Sequence, residues 1–391
     1  MYTIAFPIHI CPVGPTVFCL PAGLARDIIA QLRYEKDLHI MCPVATSPNS
    51  VSSPYYLDAA DYPGLRVTLL PYNGRLNYCT RLFKILRILK RAAETSSVWH
   101  TGCSTKLFDL TSASYYIGRF FAHRIRVVCL DSDPASMMGN SGPLQQWKAP
   151  IIRARYRKWV RQVDAAIFVG QGTENSYGRF CRKFVTTSAV WLNEGDLADA
   201  DSTVRKFDQL EGDIIRMALP SRLYGWKGCD DVLEALKIVN ARLPAWHLDI
   251  IGDGPMKAEL QRQAKEFGDR VSFLGEISYG DPFFAKLQSY HIVLAPTRGL
   301  EEARIAYDAA ASGCVLLHSG TTTLNKAMRD VPVRWQFEPG SVQGIAHALL
   351  DMFELKALWK SAALRGIDAM RGRTIQEMHK ARALFLRSLA V

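Results

Sequence analysis

Asp213-Ile214-Ile215-Arg216-Met217-Ala218-Leu219 is a short aliphatic run that stops at Pro220, and its place at the head of a series of such runs decides the fold. From Cys229 to Arg242 apolar residues recur at helical spacing, at Val232, Leu233, Leu236 and Val239. His247-Leu248-Asp249-Ile250-Ile251-Gly252 is a second run of strand length, followed by a predicted helix from Pro255 to Phe267. Val271-Ser272-Phe273-Leu274 is a third, and a helix near Pro282–Leu287 leads to His291-Ile292-Val293-Leu294-Ala295-Pro296. Another helix separates that run from Cys314-Val315-Leu316-Leu317. Aliphatic runs without polar alternation belong to strands buried on both faces. Alternating with helices, they predict a parallel, doubly wound sheet.

Working outward, the N-terminal half repeats the pattern less regularly. Its strand candidates are Tyr2–Ile8, Leu38–Cys42, Val67–Leu70, Ser97–His100, Arg126–Leu130, Ala165–Val169 and Ala189–Leu192. The stretch Gly195–Gly212, rich in Asp, Ala and Gly, reads as a linker. A chain of 391 residues exceeds the ~250–300 residues at which single cores stop growing. The expectation is an α/β protein of two Rossmann-like domains, at 1–200 and 213–370. Such domains face each other across a cleft and bind ligands outside the carboxyl ends of their strands.

Hydrophobic content of 48% with 22% charged residues excludes a disordered or collagen-like chain. No apolar run approaches the ~20 residues that span a bilayer. The N-terminus, Met1 to His9, lacks a charged leader and a small-residue cleavage site, so no signal peptide is expected. Nine cysteines without a C-x-x-C pair argue against a disulfide framework or zinc ribbon and for a reducing cytosol. Charge is uneven. Residues 1–199 carry 23 Lys and Arg against 14 Asp and Glu, whereas residues 200–391 carry 25 against 23. The basic half calls for an anionic partner, whether a phospholipid surface, nucleic acid or an acidic substrate.

Thr80 to Arg91 is a basic segment of helical pattern, with five cations in twelve residues. Leu82, Ile85, Leu86 and Leu89 share one face, and Arg81, Lys84, Arg87 and Arg91 lie largely opposite. Phe83 and Ile88 stand at the edges of the cationic side. The pattern fits a solvated basic face, or a surface for anionic lipid headgroups with Phe83 or Ile88 entering the interface. Arg153, Arg155, Arg157, Lys158 and Arg161, around Tyr156 and Trp159, form a second cluster. Nucleic acid is not expected, because no recognised binding module accompanies the charge.

Ser221-Arg222-Leu223-Tyr224-Gly225-Trp226-Lys227-Gly228, followed by Asp231-Val232-Leu233-Glu234-Ala235, resembles a segment of retaining GT-B glycosyltransferases of family 4, the glycosyl transferases group 1. Leu248 to Pro255, Val271 to Glu276 and Val293 to Thr297 resemble later segments of that family in the same order. The resemblance implies the GT-B fold, with an acceptor-binding N-terminal domain, a donor-binding C-terminal domain and a final helix, 374–391, that returns to the N-terminal domain. It also implies transfer of a hexosyl group from a nucleotide-diphosphate sugar, with retention, to a saccharide or lipid-linked acceptor. Polysaccharide or glycolipid synthesis at the inner face of a plasma membrane would be the setting. A catalytically weakened member serving as a binding or scaffold subunit is the alternative.

The chemistry accompanies the resemblance. Charge grows on the donor diphosphate as the glycosidic bond breaks, and Arg222 offers it a planar fork while Lys227 offers a point charge. Gly228, opening a helix, leaves backbone N–H groups for a phosphate oxygen. Electrostatic stabilisation of this kind needs no metal, and no cofactor is expected. The family's second acid falls on Asp308, as a donor contact. Its first acid would fall on Leu300, which puts the adjacent Glu301 forward for that catalytic role, while Glu302 reads as a helix start. Gly14, in the loop after the first strand, corresponds to a donor-phosphate glycine. His100 corresponds to the first histidine of a two-histidine pattern near the family's reacting centre, whose second position is Gly102 here, which makes His100 a catalytic candidate or a structural histidine ending its strand. Asp131 and Asp133, after another strand, are acceptor-contact candidates or helix caps. His9, His39, His123 and His247 are isolated and read as structural.

Overall fold

In the computed structural model the aliphatic runs pair as one six-stranded sheet. Its order is Val271–Gly275, Trp246–Ile251, Ile215–Pro220, Ile292–Ala295, Val315–Ser319, Trp335–Phe337. Every pairing is parallel, with Ile215 opposite Trp246 and Met217 opposite Ile292. The chain begins in the middle, winds to one edge, returns and winds to the other. Successive side chains of a strand point to opposite faces, so the run Ile215–Pro220 feeds two cores. Ile215, Met217 and Leu219 pack with Val232, Leu233 and Leu236 of helix Cys229–Val239 and with Ile345 and Leu349 of helix Val342–Glu354. Ala218 packs on the other side with Phe284 of helix Asp281–Gln288 and Ala306 of helix Ile305–Ala311.

The structure describes residues 1–121, 125–139, 146–210, 214–299, 302–331 and 335–389. They form two units, Ala189–Thr374 just described, and Met1–Ser188 together with Ile375–Val391. The second of these holds a seven-stranded parallel sheet, ordered Phe184–Thr187, Ala165–Val169, Ile125–Leu130, Val98–Thr101, Tyr2–Ala5, Leu38–Pro43, Leu65–Leu70. Both sheets are doubly wound, so the fold is two Rossmann-like domains. The final helix, Ile375–Arg387, packs within the N-terminal unit, where His379 Nε2 lies 3.0 Å from Asp27 Oδ1.

Several expectations need correction. Ala189–Leu192 is not a strand. Its alternating apolar residues, Val190 and Leu192, are buried in the core of the C-terminal unit, and the Ala189 N–H is taken by the Glu302 carboxylate at 2.8 Å. The stretch read as a linker contains helix Ala200–Asp208, capped by Asp199 on the Ser202 N–H at 2.8 Å. Phe184–Thr187 and Trp335–Phe337 are edge strands without an apolar run long enough to announce them. An antiparallel sheet of Cys11–Pro12, Val17–Pro21 and Pro54–Asp58 is also unannounced. His123 lies outside the described residues.

The structural boundary sharpens the charge asymmetry. The N-terminal unit carries 26 Lys and Arg against 12 Asp and Glu, a net +14. The C-terminal unit carries 22 against 25, a net −3.

Candidate functional site

In a doubly wound sheet the ligand crevice lies where the strand order reverses. In the C-terminal unit that point is between Ile215–Pro220 and Ile292–Ala295, and the loops leaving them run from Ser221 to Gly228 and from Pro296 onward. These loops are tied together. Gly228 has φ of 69°, and a Cβ placed on it would meet the Pro296 carbonyl at 2.2 Å, so only glycine permits the approach. The Arg298 N–H donates to the Trp226 carbonyl at 2.8 Å. The turn below is equally close, because a Cβ on Gly252 would meet the Ser221 carbonyl at 2.0 Å.

Arg298 is the residue that the sequence pattern did not single out. Its Nε donates to Asp231 Oδ2 at 2.8 Å, its Nη2 to Asp231 Oδ1 at 2.5 Å and Asp230 Oδ2 at 2.9 Å, and its Nη1 to the Gly225 carbonyl at 2.7 Å. The Asp231 hydrogen bond, set against burial and reinforced by Asp230, holds its pKa above the ordinary arginine range. Asp230 and Asp231 occupy the first turn of helix Cys229–Val239, where carboxylates favour the dipole but would repel an anion. Arg298 neutralises them there. Arg222 is left exposed beside this turn and makes no ion pair among the described residues. Lys227 closes the 3-10 turn Gly225–Lys227, and Tyr224 stacks on Trp226 with centroids 4.6 Å apart.

Asp308 turns inward. It is 2% exposed on helix Ile305–Ala311, with Oδ1 accepting from the Tyr279 hydroxyl at 2.9 Å and Arg304 Nε 3.9 Å from Oδ2. The Arg304 guanidinium lies over Trp191 and Tyr279, 4.1 and 4.8 Å from their centroids. Asp308 therefore orients Tyr279 and Arg304. Leu300 and Glu301 lie outside the described residues. Glu302 does not start a helix, which begins at Ile305. Its Oε1 accepts from the Ala189 N–H and, at 2.7 Å, from the Tyr307 hydroxyl, and burial raises its pKa.

In the N-terminal unit the candidates scatter. His100, on strand Val98–Thr101, is buried with Nδ1 2.9 Å from the Tyr2 hydroxyl. Burial, followed by the Arg382 charge, lowers its pKa to about 3, so the imidazole is neutral. Gly14 sits in the hairpin turn between Cys11–Pro12 and Val17–Pro21, and a Cβ there would touch only Val17, at an ordinary 3.5 Å. Asp133 is buried; it caps helix Pro134–Gly139 through the Ala135 N–H at 3.0 Å and accepts from the Tyr177 hydroxyl at 2.7 Å. Its geometry is that of a cap. Asp131 is exposed after strand Ile125–Leu130, accepting from the Cys103 thiol at 2.7 Å.

The basic segment is a helix, Leu82–Thr95, preceded by Arg75–Thr80. Arg81, Lys84, Arg87 and Arg91 are exposed, and Phe83 is 88% exposed. Ile88 instead packs on the core with Leu82 and Leu86. Arg155 is also committed inward, donating to the carbonyls of Ser104 at 2.8 Å and Lys106 at 2.7 Å. Among the described residues no group of three His, Cys, Asp or Glu is arranged to hold a metal, and no helix is long and apolar enough to cross a membrane.

Residues 216–354, from the first strand of the C-terminal sheet to helix Val342–Glu354, match a family model described as glycosyl transferases group 1. HepE from Anabaena, solved in complex with UDP and glucose, superposes with a TM-score of 0.70 at 15% identity, covering 99% of this chain and 100% of its own. Sucrose-phosphate synthase from Thermosynechococcus elongatus gives 0.73 at 16%, covering 100% and 99%. WaaG, a glycosyltransferase involved in lipopolysaccharide biosynthesis, gives 0.64 at 11%, covering 98% of each chain. No curated protein matches the sequence.

The chain has the GT-B glycosyltransferase fold. Arg298 and Tyr279 are the residues of this region that spacing did not single out. Arg298 comes directly after the Val293–Thr297 segment, yet its partners lie 67 and 68 residues upstream.

Proposed function

We propose that this GT-B protein is a retaining, family 4 hexosyltransferase that uses a nucleotide-diphosphate sugar and needs neither metal nor cofactor. The observation that carries the reading is the switch-point loop pair of the C-terminal unit. It leaves Arg222 exposed beside Lys227 while Arg298 neutralises Asp230 and Asp231. Arg222 and Lys227 would stabilise the departing diphosphate, with Gly228 allowing close backbone approach. Tyr279 and Arg304, oriented by Asp308, border the donor, and Glu301 would face its sugar. HepE binds UDP and UDP-glucose, which makes uridine nucleotides the first probes.

The acceptor would be a saccharide or lipid-linked glycan contacted by Asp131. Helices Arg75–Thr80 and Leu82–Thr95 would rest on an anionic membrane face of the cytoplasm, because Leu76 on the first and Phe83 on the second are 79% and 88% exposed among cations. His100, buried and neutral on a central strand of the sheet, would hold Tyr2 rather than touch substrate.

Thermal stability with a panel of nucleoside diphosphates and nucleotide sugars, with and without chelator, tests this. Near a hundred times the dissociation constant a true donor stabilises its unit by about 2.7 kcal/mol. That shift should survive chelation and disappear in Arg222→Ala/Lys227→Ala. Undiminished binding in the double variant would remove the donor assignment, and silence across the whole panel would favour a non-catalytic binding subunit.

A further inference from the structure

The N-terminal unit holds a second cationic cluster, on elements that the donor chemistry does not use. Helix Ala149–Gln162 carries Arg153, Arg157 and Arg161 four residues apart, hence on one face. The guanidinium carbons of Arg157 and Arg161 lie 4.9 and 5.4 Å from the centroid of the Phe180 ring. Arg179, in the turn Gly178–Phe180, reaches the same ring at 4.7 Å. No two of these charges are then more than about 10 Å apart, comparable with the ~8 Å Debye length at physiological ionic strength. They repel one another, and Lys158, Arg182 and Lys183 add exposed cations on the same segments.

No carboxylate among the described residues relieves them. Asp164 is committed to Arg126 at 2.9 Å, Glu174 accepts from the Thr186 hydroxyl at 2.7 Å, and Asp133 holds Tyr177. Arg157 Nε is buried without a hydrogen-bond partner. A ring beneath a guanidinium orders it and leaves the edge N–H groups available for two oxygens at once. Phosphoryl groups offer that geometry, and a phosphate monoester carries about two negative charges at neutral pH.

We infer that Arg157, Arg161 and Arg179, ordered on Phe180, form a binding site for a phosphate monoester or diphosphate group. The inference stands independently of the donor assignment. Such a group can arrive on a soluble molecule or on a lipid headgroup, and the assay separates the two. Full-length protein is titrated with pyrophosphate by calorimetry, and its sedimentation with phosphatidylcholine vesicles is measured with and without phosphatidic acid. The variants are Arg157→Gln/Arg161→Gln, Arg179→Gln and, as a donor-site control, Arg222→Ala/Lys227→Ala.

Pyrophosphate should bind two sites. The control variant should lose one, and Arg157→Gln/Arg161→Gln should weaken the other at least about tenfold, with Arg179→Gln in the same direction. A soluble ligand is indicated if only pyrophosphate binding falls. A lipid headgroup is indicated if phosphatidic acid-dependent sedimentation falls in these variants too. Unchanged pyrophosphate and vesicle binding in both arginine variants would overturn the inference. Loss confined to the control variant's site leaves the donor reading standing and this one refuted.

Discussion

Replacing Arg298 with methionine tests whether it neutralises the helix start beneath the loop proposed to hold the donor. The change removes three N–H contacts to Asp230 and Asp231 and one to the Gly225 carbonyl. Asp231 is 6% exposed, so it would become a buried carboxylate without its cation. Breaking a fully buried pair costs about 3–5 kcal/mol. The Arg298 and Asp230 side chains are 32% and 26% exposed, and solvent screening reduces the expected loss to about 2–3 kcal/mol. Urea denaturation followed by tryptophan fluorescence measures it, since Trp226, Trp246, Trp335 and Trp359 all lie in the C-terminal unit. Donor affinity should fall about tenfold, equivalent to ~1.4 kcal/mol, because two uncompensated carboxylates then share the loop with the diphosphate. Adding Asp231→Asn should restore most of the stability, as expected for coupled neighbours. A loss below about 0.5 kcal/mol, typical of an uninvolved surface change, or a double variant no more stable than the single one, would refute the reasoning.

Gly228→Ala places a Cβ 2.2 Å from the Pro296 carbonyl at a φ of 69°. It should cost about 2–3 kcal/mol of stability in the C-terminal unit through strain and displacement of the two loops, and unaltered denaturant midpoints would count against the close approach. Acid should also destabilise both units. Burial lowers His39 to about 4 and His100 and His291 to about 3, below the ~6.5 of the unfolded chain. The unfolded state therefore binds the extra protons, so this stability is complete above pH ~6.5 and is lost as pH falls towards 4 and then 3. Each histidine contributes a loss of roughly 2 kcal/mol by pH 5. Burial lowers His9 and His318 as well, so both units should lose stability over this range, and a flat profile between pH 7.5 and 5 would mean the imidazoles are not held neutral.

The C-terminal sheet was legible because each of its inner strands is a local aliphatic run and each helix a local periodicity. Gly228 and Gly252 stood out only within segments resembling a family, and the backbone contacts that admit no other residue there came from the structure. What the sequence could not reveal is which partner each polar side chain takes. Asp133 and Asp131 stand two residues apart in one turn, yet the first is spent on Tyr177, 44 residues away, while the second remains exposed. Ile88 and Phe83 both stood at the edge of the basic face, but packing against the core claimed only Ile88. Periodicity fixes which face of an element is apolar, and so the two sheets and their order of winding arise from the chain itself. Hydrogen-bond partners, burial of a given carboxylate and the gathering of three arginines on Phe180 depend on residues brought together by folding, and only the tertiary structure decides them.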